Sequence, residues 1–178
     1  LGEVIKHGVI RDAAYFDFVE NRAEAILSVD PAAMAHVVEG SCRIKTSVVA
    51  ADERETTGVR ALLNFGHTIG HAIETIYGYG TLSHGEAVAL GMRAAGRIAV
   101  VRGMWSEADH SRMCALIQTC GFPTHFSGTT DLDLLLATMK LDKKVKDGRI
   151  RFVLPTRIGE VCLVDDVAAD EVRAACQE

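Results

Sequence analysis

Apolar residues recur at three- and four-residue steps along most of this chain, and that period commits it to amphipathic helices packed on one another. The clearest run is Met34, Val37, Val38, Cys42, Ile44, Val48 and Val49. Asp30-Pro31 introduces it, with an acceptor side chain at the N-cap and, at N1, the one residue type that has no N–H to satisfy. The same spacing predicts helices over about 3–10, 13–27, 60–77, 106–119, 131–141 and 166–176. Gly78-Tyr79-Gly80 stops the helix over 60–77. Ser83-His84-Gly85-Glu86 then opens another, to about 101, as a capping box with Ser83 at the N-cap and Glu86 at N3. Residues 52–58 are polar and read as a loop. Only near the end does the period fall to two: 149–154 and 160–164 read as short strands behind an Asp147-Gly148 turn. The expected fold is one mainly α domain over residues 1–178, with a short two-stranded β element near 149–164.

Composition narrows the function. Nineteen Lys and Arg against 24 Asp and Glu give a net charge of −5, which argues against a general nucleic-acid binder while leaving room for a local anion site. No apolar run approaches the roughly 18–20 residues of a membrane span. The five cysteines are odd in number, scattered and without a C-x-x-C pair, as expected of a chain in a reducing cytoplasm. The chain opens on Leu1-Gly2-Glu3 without Met and runs directly into an apolar-periodic stretch, so a fragment of a longer protein is expected.

Chemistry concentrates in Leu63-Asn64-Phe65-Gly66-His67-Thr68-Ile69-Gly70-His71. Two imidazoles at i and i+4 share a helix face about 6 Å apart, a spacing metal sites use. His84 lies just past the Gly-rich break, and a helix hairpin closing there would return it beside His67. The plainer reading is that these are helix histidines satisfied by backbone or water. Gly66 and Gly70 bear on the choice, because each costs a helix interior roughly 1 kcal/mol against Ala. Spaced four apart, they form a smooth stripe that another backbone or a ligand can approach. Close helix packing explains these glycines but not the imidazoles beside them.

A catalytic metal site needs a third protein ligand. Glu3 is the leading candidate, at the start of an apolar helix with Lys6 one turn on, although an i,i+3 surface ion pair explains the same two residues. Spacing cannot choose Glu3 over the other acids. Lys45, Arg60, and Lys143 with Lys144 flank the histidine helices in an acidic chain, and such a cationic cluster suits a phosphate- or carboxylate-bearing substrate. His7, His36, His110 and His125 show no partner pattern.

Taken together, these residues resemble the C-terminal domain of 3-dehydroquinate synthases. Gly2-Glu3-Val4-Ile5-Lys6-His7-Gly8-Val9-Ile10 is similar to the motif that opens that domain. Lys45 to Val49, Asp52-Glu53-Arg54-Glu55, the block from Arg60 to Glu74 and His84-Gly85-Glu86-Ala87-Val88-Ala89-Leu90-Gly91-Met92 follow in order. Asp142-Lys143-Lys144 and the stretch from Arg149 to Gly159 complete the resemblance, which covers nearly the whole chain. It implies that Glu3, His67 and His84 hold a catalytic zinc; a His-His-Glu donor set also accepts cobalt. It moves His71, which spacing had paired with His67 on the metal, to a substrate-side acid/base position. Lys6 falls at a catalytic and substrate-binding position. Lys45, Arg60, Asn64 and Lys143 fall, with His71, at positions that bind the phosphate, carboxylate and hydroxyls of the substrate.

The implied reaction is the conversion of 3-deoxy-D-arabino-heptulosonate 7-phosphate to 3-dehydroquinate in the shikimate route. It proceeds through transient oxidation by NAD+, β-elimination of phosphate, re-reduction and an intramolecular aldol. Position 2 is Gly where many relatives have Ala, and Thr56-Thr57-Gly58 departs from shorter, Gly-rich versions of that loop. No G-x-G-x-x-G or βαβ pattern occurs, and the resemblance implies that the NAD+ site lies in an upstream domain, with no cofactor-binding residue here and no catalysis by this chain alone. The resemblance also implies a homodimer. Three rivals remain: another sugar phosphate cyclase, a metal-dependent polyol dehydrogenase of similar architecture, and a non-catalytic helical module with structural zinc. A structural site would use four closed ligands, commonly with Cys, and no cysteine lies near His67 or His84 in sequence.

Overall fold

Caps decide where the helices begin. In the computed structural model, Asp30 accepts the Ala33 N–H at 2.9 Å and starts a long helix at Pro31. Ser83 accepts the Glu86 N–H at 3.3 Å while Glu86 accepts the Ser83 N–H at 2.7 Å, the reciprocal box the sequence predicts. Residues 1–54, 56–78, 81–126, 130–141, 145–146 and 149–177 are described, with 145, 146 and 149 by backbone alone. Lys143 with Lys144, the Asp147-Gly148 turn, and Tyr79 and Gly80 of the predicted stop lie outside them.

Among the described residues the order is α1 (Gly2–Arg11), α2 (Ala13–Asn21), α3 (Ala23–Leu27), α4 (Pro31–Ala51), a 3₁₀ turn (Arg60–Asn64), α5 (His67–Tyr77), α6 (His84–Val101), α7 (Glu107–Thr119) and α8 (Leu132–Leu141). Then come β1 (Val145–Lys146), β2 (Arg149–Ile150), β3 (Phe152–Arg157), β4 (Glu160–Val164) and α9 (Ala169–Gln177). The mainly helical expectation holds, and no described helix is long and apolar enough to cross a membrane. All five cysteines are free thiols.

α6 is the axis of the molecule. Its small side chains are buried on nearly every side, as expected of a helix that is apolar all round, and α1, α5, α7, α9 and β3 pack against it. β3 and β4 form an antiparallel pair that docks on α1, where the Gly159 N–H of their turn donates to the Val9 carbonyl at 2.9 Å. Thr68 of α5 donates to the Arg151 carbonyl at 3.2 Å and ties the histidine helix to the same hairpin.

Four boundaries differ from the sequence reading. The helix over 13–27 is two helices, because Arg22 leaves helical geometry (φ −115°, ψ 16°). The helix over 60–77 is a 3₁₀ turn and a separate α5: Phe65 is extended at ψ 125°, and Gly66 is left-handed at φ +78°. The strand expected over 149–154 is two pieces, and β3 runs through Pro155, which pairs with Val161 beside a register shift. Among the described residues β3 pairs only with β4, so a residue without an N–H fits its open side. The last helix starts at Ala169, because Asp166 instead binds Arg102 through side chain and carbonyl, at 2.6 and 2.9 Å.

Candidate metal centre

Close backbone approach builds the site. A Cβ on Gly91 of α6 would lie 1.9 Å from the Gly66 carbonyl, and one on Gly70 of α5 would lie 3.1 Å from the Ala87 carbonyl. The glycine stripe is therefore used for helix packing, and Gly66 is a left-handed N-cap, not a helix interior residue. That break makes His67 the first residue of α5, and its Nδ1–H donates to the Phe65 carbonyl at 3.1 Å. Gly2 does the same for α1, since a Cβ there would fall 2.8 Å from the Gly85 carbonyl. Glu3 is thus carried to the N-terminus of α6, whose first residue is His84.

One donor atom each from Glu3, His67 and His84 lie within 4.8 Å of one another. Glu3 Oε1 is buried without a hydrogen-bond partner, 3.4 Å from His67 Nε2, while Oε2 accepts from Lys6 Nζ at 2.7 Å. Burial pushes the Glu3 carboxyl up, but Lys6, His67 and His7 outweigh it and hold the value below the ordinary one. Burial, reinforced by the Lys6 ammonium, pushes His67 down to about 4 and keeps the imidazole neutral. Lys6 is only 2% exposed, so the Glu3–Lys6 pair is not the solvated surface pair that spacing alone allows.

Two imidazoles, one carboxylate with an orphaned oxygen and no fourth protein donor in the set fit a zinc-type ion with an open coordination position. His67 has its Nδ1 proton engaged, which leaves Nε2 as its lone-pair nitrogen.

His71 completes a triangle of rings, 5.2 Å from His67 and 6.0 Å from His84 between centroids. It lines a cleft of about 380 Å³ with Thr68, Thr75 and Thr138. Arg60 and Asn64 line a second cleft, of about 400 Å³, with Asp52 and Arg151. Asp52 fixes that cleft by accepting the backbone N–H groups of Thr56, Thr57 and Arg60 at 2.8, 3.1 and 3.2 Å. Those bonds hold its carboxyl down at about 2. Lys45 stands exposed on α4 with its charge felt at His7. The structure thus brings Glu3, Lys6, His67, His71 and His84 into one cluster and puts Arg60 and Asn64 in a neighbouring cleft. Of the histidines without a sequence pattern, His36 packs on Phe18 and His110 bonds the Arg93 carbonyl at 3.1 Å.

The sequence profile of the 3-dehydroquinate synthase C-terminal region matches residues 1–145. The chain belongs to the 3-dehydroquinate synthase family. The 3-dehydroquinate synthase of Nostoc punctiforme is 48% identical over 179 residues, covering 99% of this chain and 49% of that protein. The enzyme of that name from Desulforamulus reducens is 44% identical over 178 residues, covering 100% and 49%. The chain therefore spans about half the length of the curated relatives it matches. Among solved structures, a 2-epi-5-epi-valiolone synthase from Streptomyces hygroscopicus with NAD+ and Zn2+ bound superposes with a TM-score of 0.88 at 27% identity, over 98% of this chain and 48% of that one. A 2-deoxy-scyllo-inosose synthase, at 23% identity, TM-score 0.83 and 99% and 50% coverage, shares the fold.

Three residues near this 3-dehydroquinate synthase-like cluster were not singled out from the sequence. His7 is buried beside Glu3 and Lys6 with an unpartnered Nδ1. Arg151 shares the Arg60 cleft, and Glu74 bonds His84. Only Glu74 carried a readable signal: it follows His67 and His71 at helical spacing on the same helix face.

Proposed function

We propose that this chain is the metal- and substrate-binding part of a 3-dehydroquinate synthase, a phosphorus–oxygen lyase that converts 3-deoxy-D-arabino-heptulosonate 7-phosphate to 3-dehydroquinate and phosphate. The observation that carries this reading is the convergence of Glu3, His67 and His84, from three separate helices, in a chain of that family. The valiolone synthase solved with NAD+ and Zn2+ supports the same two cofactors here. When bound, zinc supplies Lewis acidity to a substrate hydroxyl, and NAD+ supplies a hydride acceptor that is restored within the turnover.

The chain's own residues orient the substrate and move its protons. Glu3, His67 and His84 are the metal ligands of this reading. Lys6, buried and charged beside Glu3, binds a substrate oxygen and steadies negative charge as it develops. His71, within 5.2 Å of His67, exchanges protons with the substrate at a ring nitrogen. Arg60 and Asn64, with Arg151 across their cleft, hold the anionic groups of the sugar phosphate. Lys45 and Lys143 complete that set, Lys143 on the strength of the sequence resemblance alone. In this reading the NAD+ site belongs to the N-terminal part of the full-length enzyme, in line with the chain matching about half of each relative, and the working form is a cytoplasmic homodimer on the strength of the sequence resemblance alone. Identities of 42–48% with 3-dehydroquinate synthases, against 27% with the valiolone synthase, favour the dehydroquinate branch over other cyclases.

The test is phosphate release from 3-deoxy-D-arabino-heptulosonate 7-phosphate by the full-length protein with zinc and NAD+. Stoichiometric phosphate and 3-dehydroquinate are expected, and loss of both in His84→Ala. No phosphate from that substrate in the zinc-loaded protein overturns the reading.

A further inference from the structure

We propose that Glu74 is a positioning residue for the metal centre, holding the His84 ring by its Nδ1 so that Nε2 is the nitrogen left for the ion. This deepens the metal-site reading above and rests on it. Both Glu74 oxygens lie within reach of one nitrogen: His84 Nδ1 is 3.1 Å from Oε1 and 3.2 Å from Oε2. A carboxylate is an acceptor, so this contact orients the ring through an Nδ1–H donor and leaves Nε2 as the nitrogen that can face an ion.

The two metal-side histidines differ in what fixes them. His67 is buried and bonded to the Phe65 carbonyl. His84 has a side chain 48% exposed at the first position of α6, so packing does little to hold its ring. The Glu74 carboxylate supplies that restraint from α5, and a carboxylate on the outer nitrogen also raises the basicity of the inner one.

Helix electrostatics argue that Glu74 is not there for α5. It lies near the C-terminal end of His67–Tyr77, where the helix dipole disfavours an anion. An acid kept at an unfavourable helix position and aimed at a neighbouring helix's histidine is explained by that histidine. A second grouping, His71 with Glu74 and His84, also has donor atoms within 4.8 Å of one another. It raises the alternative that Glu74 binds the metal directly, and the test separates the two roles.

The experiment measures zinc affinity of the 178-residue chain by competition with a chromophoric chelator, for wild type, Glu74→Gln, Glu74→Ala and His84→Ala. Visible absorption of the cobalt-loaded forms and thermal melts of the metal-free forms accompany it. Glu74→Ala is expected to weaken zinc binding about 10- to 100-fold. Glu74→Gln, whose amide oxygen still accepts from Nδ1–H, is expected to recover most of that loss and keep the wild-type cobalt spectrum. Metal-free melting should be unchanged or slightly raised in both, which a fold-supporting role would not give. Zinc affinity of Glu74→Ala within threefold of wild type, in a chain that does bind zinc, overturns the proposal and leaves the metal-site reading standing. Glu74→Gln as weak as Glu74→Ala, with an altered cobalt spectrum, overturns it in favour of direct ligation. A wild-type chain that binds no zinc overturns both readings together.

Discussion

His7 and His67 are both buried beside Lys6, and both fold as neutral rings with values pushed down to about 4, burial first and the ammonium second. In the unfolded chain each titrates near 6.5. Between those values the unfolded state binds more protons than the folded one, so stability falls as pH falls. The metal-free protein is therefore expected to hold its full stability above pH 6.5 and lose it progressively as pH drops through 4. Melting temperatures recorded in chelator across that window check this, and His7→Gln should flatten the slope even if it lowers the absolute values. An unchanged slope in that variant would remove His7 from the account. At this scale sequence spacing reached His67 and His71, and the hairpin argument reached His84. Glu3 was beyond physical spacing rules, because its contact with His67 joins segments far apart in the chain. The buried state of Lys6 was hidden for the same reason: an i,i+3 pair has one spacing whether it faces water or a core.

Helices were legible where local chemistry sets their ends and illegible where tertiary packing does. Asp30-Pro31 and Ser83 each cap a helix as their sequences predict, since a cap needs only its own next turn, and the structure adds Ser106 as the cap of α7. The break at Phe65-Gly66 has no such local mark, because Gly within an apolar run also suits a helix interior. What requires the break is α6, whose Gly91 meets the Gly66 carbonyl with no room for a methyl group. Gly91→Ala is accordingly expected to destabilise the protein by about 1–3 kcal/mol through overpacking. That cost exceeds the roughly 1 kcal/mol Ala gains in helix propensity. The same substitution should push the start of α5 outward and separate His67 from Glu3, weakening zinc binding alongside the lower melting temperature. Gly85→Ala serves as the control, since its methyl group would meet only the Phe122 ring, at 3.4 Å. If Gly91→Ala melts like Gly85→Ala, the close approach of α5 to α6 is not what holds the site.

Across the whole molecule, the three proposed ligands come from α1, α5 and α6, and only the folded arrangement brings them within 4.8 Å of one another. The unfolded chain offers no comparable set, so metal binding and folding are linked, and free energy of binding becomes stability. At free zinc a hundredfold above the dissociation constant the gain is about 2.7 kcal/mol. A chain of this size gains about 2–4 °C per kcal/mol, so the melting temperature should rise by about 5–10 °C. Chelator should reverse the rise, and His84→Ala should abolish it. Magnesium should give none, because a hard cation that favours oxygen and water gains little from two imidazoles. The direction of failure is informative. A rise that survives His84→Ala would move the ion to other donors, while no rise in the wild type would mean that the three helices do not form a metal-binding arrangement within these 178 residues.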